Sequence, residues 1–456
     1  MARSVRIDDL YRFILPGAPA LSPDASRVVF PVKRVNRKEN RYESHLWLGS
    51  PRGGRPRQLT HGKVSDGGAK FSPDGRRVAF VSDRDEKSGI WLMRLDGGEP
   101  RLLMATEGGP ITDLQWSPDG KEILFNHFSV PKRTDEQKKQ EPTFRHITSL
   151  YHKEDGHGWF EGEHWSLWTV RVGTGQAKEL TKGPHHDREG RWSPDGKRIA
   201  FTSARGDDSD RYPDQNHVFV MDRNGKNVRN LTPTAGSRET VRWSGDSAHV
   251  YFVGFEGGPG EWLYHEHSVC RVPVAGRGKS KAQVLNPGHD RWVMNMVGSD
   301  TAVGFGSVLE PYLDDDGNER VAFGSDEDGS YRIYSVSAEG GDVREEITGK
   351  LSVLGMAVRR ETGEAVYLAA TTGDTGELYR AKLNGTDHSF QLTKLTAPFL
   401  RPLKYNKPEE IRFKSGRHEI QGWILKPPTY RAGKKYPCLI EVHGGPMTQY
   451  GEAWFH

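Results

Sequence analysis

One short turn recurs along this chain and limits what it can fold into. Trp192-Ser193-Pro194-Asp195-Gly196 precedes the apolar run Ile199-Ala200-Phe201. Phe71-Ser72-Pro73-Asp74-Gly75 precedes Val78-Ala79-Phe80, and Trp116-Ser117-Pro118-Asp119-Gly120 precedes Ile123-Leu124-Phe125. Leu21-Ser22-Pro23-Asp24 and Trp243-Ser244-Gly245-Asp246 are variants, leading into Val28-Val29-Phe30 and Val250-Tyr251-Phe252. Ser, Pro, Asp and Gly suit the four positions of a type I turn: a polar cap, a fixed φ, a backbone-bonding carboxylate and a glycine exit. With apolar runs on its flanks, each copy reads as a β-hairpin.

A second hairpin follows each first one. Leu167-Trp168-Thr169-Val170 returns through a Gly-bearing turn to Glu179-Leu180-Thr181. Equivalents begin at Leu46, Ile90, Val218, Ser268, Arg332 and Leu378 and end at Thr60, Met104, Thr232, Asn286, Thr348 and Thr393. Four strands per unit, at a period of roughly 45–50 residues, is the pattern of a β-propeller. The expected fold is mainly β: a seven-bladed β-propeller over 18–400, its first and last blades adjacent so that no sheet edge is left open. Hydrophobic residues make up only 34%, but 53 glycines lie outside that count and fit a chain of many tight turns.

The segments outside the repeat are short. Residues 1–17 hold one amphipathic helix, Ile7 to Ile14, ended by Pro16-Gly17. The third repeat carries about forty extra residues between Phe125 and Leu167, far beyond ordinary loop lengths. After Pro398 the repeat stops, and Pro402 and Pro408 mark a linker. In 401–456, Ile411-Arg412-Phe413 and Ile420 to Leu425 read as two strands around Ser415-Gly416-Arg417. Cys438-Leu439-Ile440-Glu441-Val442 reads as a short buried strand opening into His443-Gly444-Gly445-Pro446.

Several classes of function are disfavoured. The 65 basic and 61 acidic residues nearly balance at +4, which gives nucleic-acid binding no support. The first twenty residues hold no apolar core of a signal peptide, and no run of about 18 apolar residues would span a membrane. A cytoplasmic location is the expectation. Cys270 and Cys438 form neither a disulfide framework nor a metal set, and both are expected to be buried thiols. His146, His152, His157, His164, His185 and His186 match no metal-ligand spacing, so no metal and no cofactor is expected. Asp314-Asp315-Asp316-Gly317-Asn318-Glu319 lacks the alternate ligands of a calcium loop and reads as a surface turn.

A strand that opens into His-Gly-Gly has two readings: an ordinary Gly-rich strand exit, or an oxyanion loop whose N–H groups face a developing alkoxide. The surrounding motifs bear on the choice. A propeller, a Pro-bearing linker, a hairpin ending in Gly422-Trp423-Ile424-Leu425-Lys426-Pro427-Pro428, then Lys435-Tyr436-Pro437 and His443-Gly444-Gly445-Pro446-Met447-Thr448-Gln449-Tyr450-Gly451, resemble the prolyl oligopeptidase family of serine peptidases. The acylaminoacyl-peptidase-like branch is the nearest. The stretch Ile147 to Phe160 resembles that branch's Arg-Tyr-Arg-x-Asp-Gly-x-Gly-Tyr, departing from it at His152, Lys153 and Trp159.

The resemblance implies that the propeller caps an α/β-hydrolase domain whose first strands lie in 401–456, and that it excludes folded proteins from the site. It implies an oxyanion hole at His443, Gly444 and Gly445. It implies substrate-facing positions at Tyr151, Asp155, Trp159 and Phe160. The Ser-Asp-His triad would lie C-terminal to this chain. No Gly-x-Ser-x-Gly occurs, and Ser307 after Gly306 lacks the second glycine. The expected partners are peptide substrates and a C-terminal α/β-hydrolase half, with homo-oligomerisation left open. The chain alone is expected to be inactive. The other reading is a stand-alone propeller that binds or scaffolds without catalysis.

Overall fold

The computed structural model describes residues 3–86, 88–106, 108–129, 144, 146–154, 158–160, 162–206, 209–261, 265–276, 281–299, 306–386, 388–445 and 447–455. Two compact units form: Met1–Gly67 with His289–Ala338 and Asp342–His456, and Gly68–Gly288 with Glu339–Gly341.

The second unit is built from antiparallel four-stranded sheets whose strands follow chain order. One runs Gly67–Phe71, Arg77–Ser82, Gly89–Arg94, Arg101–Ala105, and the next Ile111–Trp116, Glu122–Ser129, His164–Arg171, Ala177–Glu179. Asp187–Trp192, Arg198–Ser203, His217–Asp222 and Arg229–Asn230 make a third. Arg238–Trp243, His249–Gly254, Ser268–Pro273 and Gln283–Val284 make a fourth. Successive sheets bury their faces against one another. Ile90 and Leu92 of one share a core with Leu114, Ile123 and Phe125 of the next. Leu124 and Leu167 pack with Ile199, Phe201 and Phe219, and Val218 and Val220 with Val250 and Phe252.

The recurrent residues have specific tasks. In every Ser-x-Asp turn the buried serine hydroxyl donates to the aspartate two residues on, at 2.5–2.6 Å. The same hydroxyl accepts the N–H five residues on, as from Arg77, Glu122 and Arg198. Gly75, Gly120 and Gly196 take left-handed φ of 67°, 67° and 68°, and Ala25 and Ser247 stand at the same point with φ of 51° and 61°. The tryptophan before the turn reaches back one sheet: Trp116 Nε1 donates to Lys70 O and Trp243 Nε1 to Arg191 O. The Leu-Thr pairs that close the second hairpins are equally local in purpose. The leucines are buried, and Thr60, Thr181, Thr232 and Thr393 hydroxyls accept N–H groups of Leu46, Leu167, Val218 and Leu378. Asn286 does this for Val269.

In the first unit, Ile14–Pro16, Ala20–Leu21, Val28–Asn36, Arg41–Gly49 and Arg57–Gln58 form one sheet. Leu309–Leu313, Glu319–Glu327, Ser330–Ser337 and Arg344–Ile347 form an antiparallel set. A single parallel pair, Tyr331 with Ser352, joins it to Ser352–Arg359, Glu364–Thr371, Asp374–Lys382 and Phe390–Gln391. These two sets lack Ser-Pro-Asp-Gly and turn instead at 314–318 and 360–363. Asp314 Oδ1 accepts N–H groups of Asp316 and Asn318, so this acidic run is a hairpin turn. The first and last repeat sheets share a core of Val28, Phe30 and Val32 with Val366, Leu368 and Leu378. The chain thus holds a mainly β, propeller-like domain.

Three expectations fail. The N-terminal helix is a 3-10 helix, Ile7–Arg12, and Ile14–Pro16 instead pairs with Val32 to Arg34 as an edge strand. Pro16 can stand there because an edge position needs no N–H. Within the linker, Leu403–Lys404 pairs in parallel with Arg3–Ser4. Cys438 to Val442 is no strand, and Leu439, Ile440 and Val442 are 93%, 82% and 81% exposed. A strand buried on both faces needs neighbours, and no described strand pairs with it. Cys438 is accordingly exposed, while Cys270 is buried.

Ala25→Gly is expected to stabilise the fold by about 1 kcal/mol, because a side chain at positive φ is strained, with Gly196→Ala costing a similar amount. Urea midpoints of the two variants check this. Serine donation lowers the Asp24, Asp74 and Asp246 carboxyls, Asp24 to about 2. Their contribution is complete above the ordinary aspartate value and is lost as pH falls through the folded values, in the window from about 4 to 2. Ser72→Ala should therefore raise the pH midpoint of acid unfolding, read by circular dichroism.

Candidate functional site

The C-terminal candidate is built on the first unit. Glu409–Ser415 pairs with His418–Ile424, as the turn at Ser415-Gly416 predicts. Residues 431–445 then run exposed to solvent. Gly445 has φ of 125°, and a Cβ on it would stand 2.5 Å from Met447 N and 2.6 Å from Thr448 N, so only glycine fits. Thr448 Oγ1 and His443 Nδ1 both donate to Gly444 O, the latter at 3.0 Å. This closes the loop on its carbonyl side. The N–H groups of Gly444 and Gly445 make no hydrogen bond to another described residue. Such a loop offers donors to an incoming oxygen; by itself it supplies no nucleophile. Pro446 lies outside the described residues.

The second candidate lies in the long insertion of the second unit. Lys153–Glu154 pairs with Gly158–Trp159. Tyr151 and Phe160 stand 5.2 Å apart, and His186 is 5.7 Å from Phe160 and 6.2 Å from Tyr151. Phe128 and Trp165 extend the cluster at 5.1 Å from each other. Burial raises the Tyr151 phenol above its ordinary value. Trp159 is exposed, stacks on His152 at 5.3 Å and carries the Lys153 ammonium over its ring. Asp155 lies outside the described residues. The structure therefore joins Tyr151 to Phe160 and stacks Trp159 on His152.

Two residues that the sequence did not assign to this cluster hold this region. Asp210, about sixty positions onward, accepts the Ser149 hydroxyl and the N–H groups of Leu150 and Tyr151, the latter two at 2.8 Å. His186 fills the aromatic cluster. Neither belongs to a motif, and only their place in the next sheet brings them here. A further feature runs along the first strands of the sheets. Asp113, Glu189 and Thr240 take φ of 54°, 58° and 56° at register shifts. Glu189 accepts Thr240 N–H at 2.6 Å, and surrounding protein raises its carboxyl although the side chain keeps partial exposure. Among the described residues no group of three His, Cys, Asp or Glu is placed to hold a metal. Among them, no helix is long and apolar enough to cross a membrane.

Comparison with known proteins agrees with the fold. A family model described as the TolB beta propeller domain matches residues 13–156. An uncharacterized peptidase, YuxL of Bacillus subtilis, is 27% identical over 470 residues, covering 100% of this chain and 68% of that protein. Dipeptidyl-peptidase 5 of Porphyromonas gingivalis is 23% identical over 95% of this chain and 62% of its own length. The uncharacterized protein Atu1656 of Agrobacterium fabrum is 30% identical over 203 residues, 40% of this chain and 68% of that protein. The Pyrococcus horikoshii acylaminoacyl peptidase structure superposes with a TM-score of 0.74 at 20% identity, over 98% of this chain and 63% of that one. The propeller domain of the Pyrococcus furiosus Trilobed protease gives 0.55 at 16% identity, over 84% and 98%. The chain belongs to one family with Atu1656, a protein without an assigned activity, and is distantly homologous to peptidases that are about half as long again.

Asp210→Ala should release the insertion. Losing hydrogen bonds to a charged acceptor costs about 1.5–3 kcal/mol each, so proteolysis within 146–154 should rise at least tenfold. Limited digestion with a mass readout checks this. The wild-type clamp should hold at neutral pH, since the Ser149 hydroxyl, with the Leu150 and Tyr151 N–H groups, keeps the Asp210 carboxyl below its ordinary value.

Proposed function

We propose that this chain is the propeller-bearing part of a serine peptidase of the acylaminoacyl-peptidase-like branch. It would cleave short peptides or blocked N-terminal residues in the cytoplasm. Residues 18–400 make a closed seven-bladed propeller that limits substrate size, and 401–456 begin an α/β-hydrolase domain whose Ser-Asp-His triad lies C-terminal to His456.

The observation that carries this reading is the loop His443-Gly444-Gly445, with two N–H groups that bond to no other described residue and a backbone at Gly445 that only glycine tolerates. Whole-length similarity to a protein described as a peptidase supports it. In the assembled site the Gly444 and Gly445 N–H groups would hold the oxygen of the tetrahedral intermediate. His443, bonded to Gly444 O, would keep the loop in shape. The exposed run Leu439 to Val442 would become a sheet strand once strands of the hydrolase half lie beside it. The unpaired thiols of Cys270 and Cys438 fit a reducing compartment.

The test is to produce the chain alone and together with its C-terminal hydrolase half, and to label both with a fluorophosphonate. The assembled protein should label and cleave peptides. The chain alone should do neither, because it lacks an activated nucleophile. Gly445→Ala in the assembled enzyme should lower kcat about 10²–10³-fold with little change in KM, as for loss of one oxyanion donor. Labelling of the chain alone would overturn the reading.

A further inference from the structure

The first unit holds the segment just after the His-Gly-Gly loop from both sides. Gln449 N–H donates to Met296 O at 3.0 Å, and Gly298 N–H donates to Gln449 O at 2.8 Å. Val297 and Gln449 thus form a parallel bridge. Asp326 lies behind it, at the end of the strand Glu319–Glu327. Its Oδ2 accepts Met296 N–H at 2.7 Å, which fixes the strap that grips Gln449. Asp326 is 7% exposed, and burial raises its carboxyl to about 7, against the opposing influence of the Met296 N–H and the Gln449 side-chain amide. Farther along, Glu452 N–H donates to Gly329 O at 2.6 Å, and Ser299 Oγ to Trp454 O at 2.9 Å.

Tyr450, the next residue, reaches the loop itself. Its hydroxyl donates to Glu441 Oε1 at 2.7 Å, and its ring meets the His443 ring edge-on at 6.0 Å. Glu441 and His443 sit on the approach to Gly444 and Gly445. A residue clamped at Gln449 therefore fixes the base of the side chain that touches the loop's entry. By contrast, Leu439, Ile440 and Val442 lie exposed.

We propose that Asp326 is a positioning residue. Through Met296 and Gln449 it sets where Tyr450 stands, and through Tyr450 it sets where the His443–Gly445 loop is held. The propeller-like domain thereby braces the candidate oxyanion loop, as well as screening substrates. The catalytic part of this inference rests on the proposed peptidase function; the brace itself does not.

Two measurements separate them. In this chain, hydrogen exchange at the Gln449 and Gly298 amides, the two that close the bridge, should quicken at least tenfold in Asp326→Ala. Asp326→Asn, which keeps an acceptor for Met296 N–H, should restore wild-type exchange. Exchange in the hairpin Glu409–Ser415 and His418–Ile424 controls for general unfolding. Unchanged exchange at Gln449 in Asp326→Ala, or equal loss in both hairpin and tail, overturns the brace. In the assembled enzyme, Asp326→Ala and Tyr450→Ala should lower kcat about tenfold with KM within twofold, and Asp326→Asn should not. A change confined to KM overturns the positioning role. An assembled protein with no peptidase activity sinks the proposed function, while the exchange result still decides the brace.

Discussion

A buried serine hydroxyl that donates to the aspartate two residues on is the interaction the fold depends on. The same oxygen accepts the N–H five residues on, while the serine N–H pairs with that residue's carbonyl. The serine hydroxyl, the serine N–H and the aspartate Oδ1 are all satisfied within the turn, as burial of the serine requires. The consequence is register. A slip by one residue would turn Val78, Phe80, Ile199 and Phe201 to the wrong face. With register fixed, neighbouring sheets of one unit present their apolar faces to each other, and Ile90 shares a core with Leu114, as Leu167 does with Phe201.

Where the turn motif is missing, buried carboxylates take over the work. Glu346 is fully buried and accepts from Tyr312 Oη, Ser335 Oγ, Arg344 Nε and Gly385 N–H, at 2.6–2.9 Å. It therefore ties the strands around 312 and 335 to the turn after Lys382. Glu377 accepts from Thr393 Oγ1, Leu395 N–H and both Thr396 donors. A buried carboxylate is costly unless its lone pairs are filled. Both are filled, so each acts as a rigid junction where five of the repeats use a serine and an aspartate.

The C-terminal segment shows a graded dependence on the rest of the unit. Lys350 pairs with Glu410 and Arg412 with Asp328, which seats the hairpin on the propeller-like domain. Gly329 and Gly451 approach so closely that neither could carry a side chain without displacement of the other. Trp454 enters a cluster with Phe13, Phe399 and Leu403. Between these anchored parts the chain from 431 to 445 is exposed, and it contains the loop whose N–H groups bond to no other described residue. Chemistry at that loop requires a nucleophile from outside the described residues, whereas its placement depends on residues within them.

The strand pairs of each repeat were legible in the amino-acid sequence because their causes are local. Ser193 with Asp195, and Leu180-Thr181 closing on Leu167, lie within about fifteen residues of each other, where turn chemistry and apolar alternation decide the outcome. The glycine requirement at Gly445 was legible for the same reason. The sequence misled at Cys438 to Val442, whose apolar composition is a strand's but which no described strand pairs with. It also misled at Ile14 to Pro16, where pairing with Val32 outweighed a helical pattern. Only the tertiary structure decided that Asp210 holds Ser149 and that Glu346 meets Gly385. It alone set Tyr151 against His186, and brought Asp326 and Met296 to Gln449. Those contacts join residues tens to over a hundred positions apart. No local propensity encodes them; they exist because stacked sheets bring their loops and strand ends to common places.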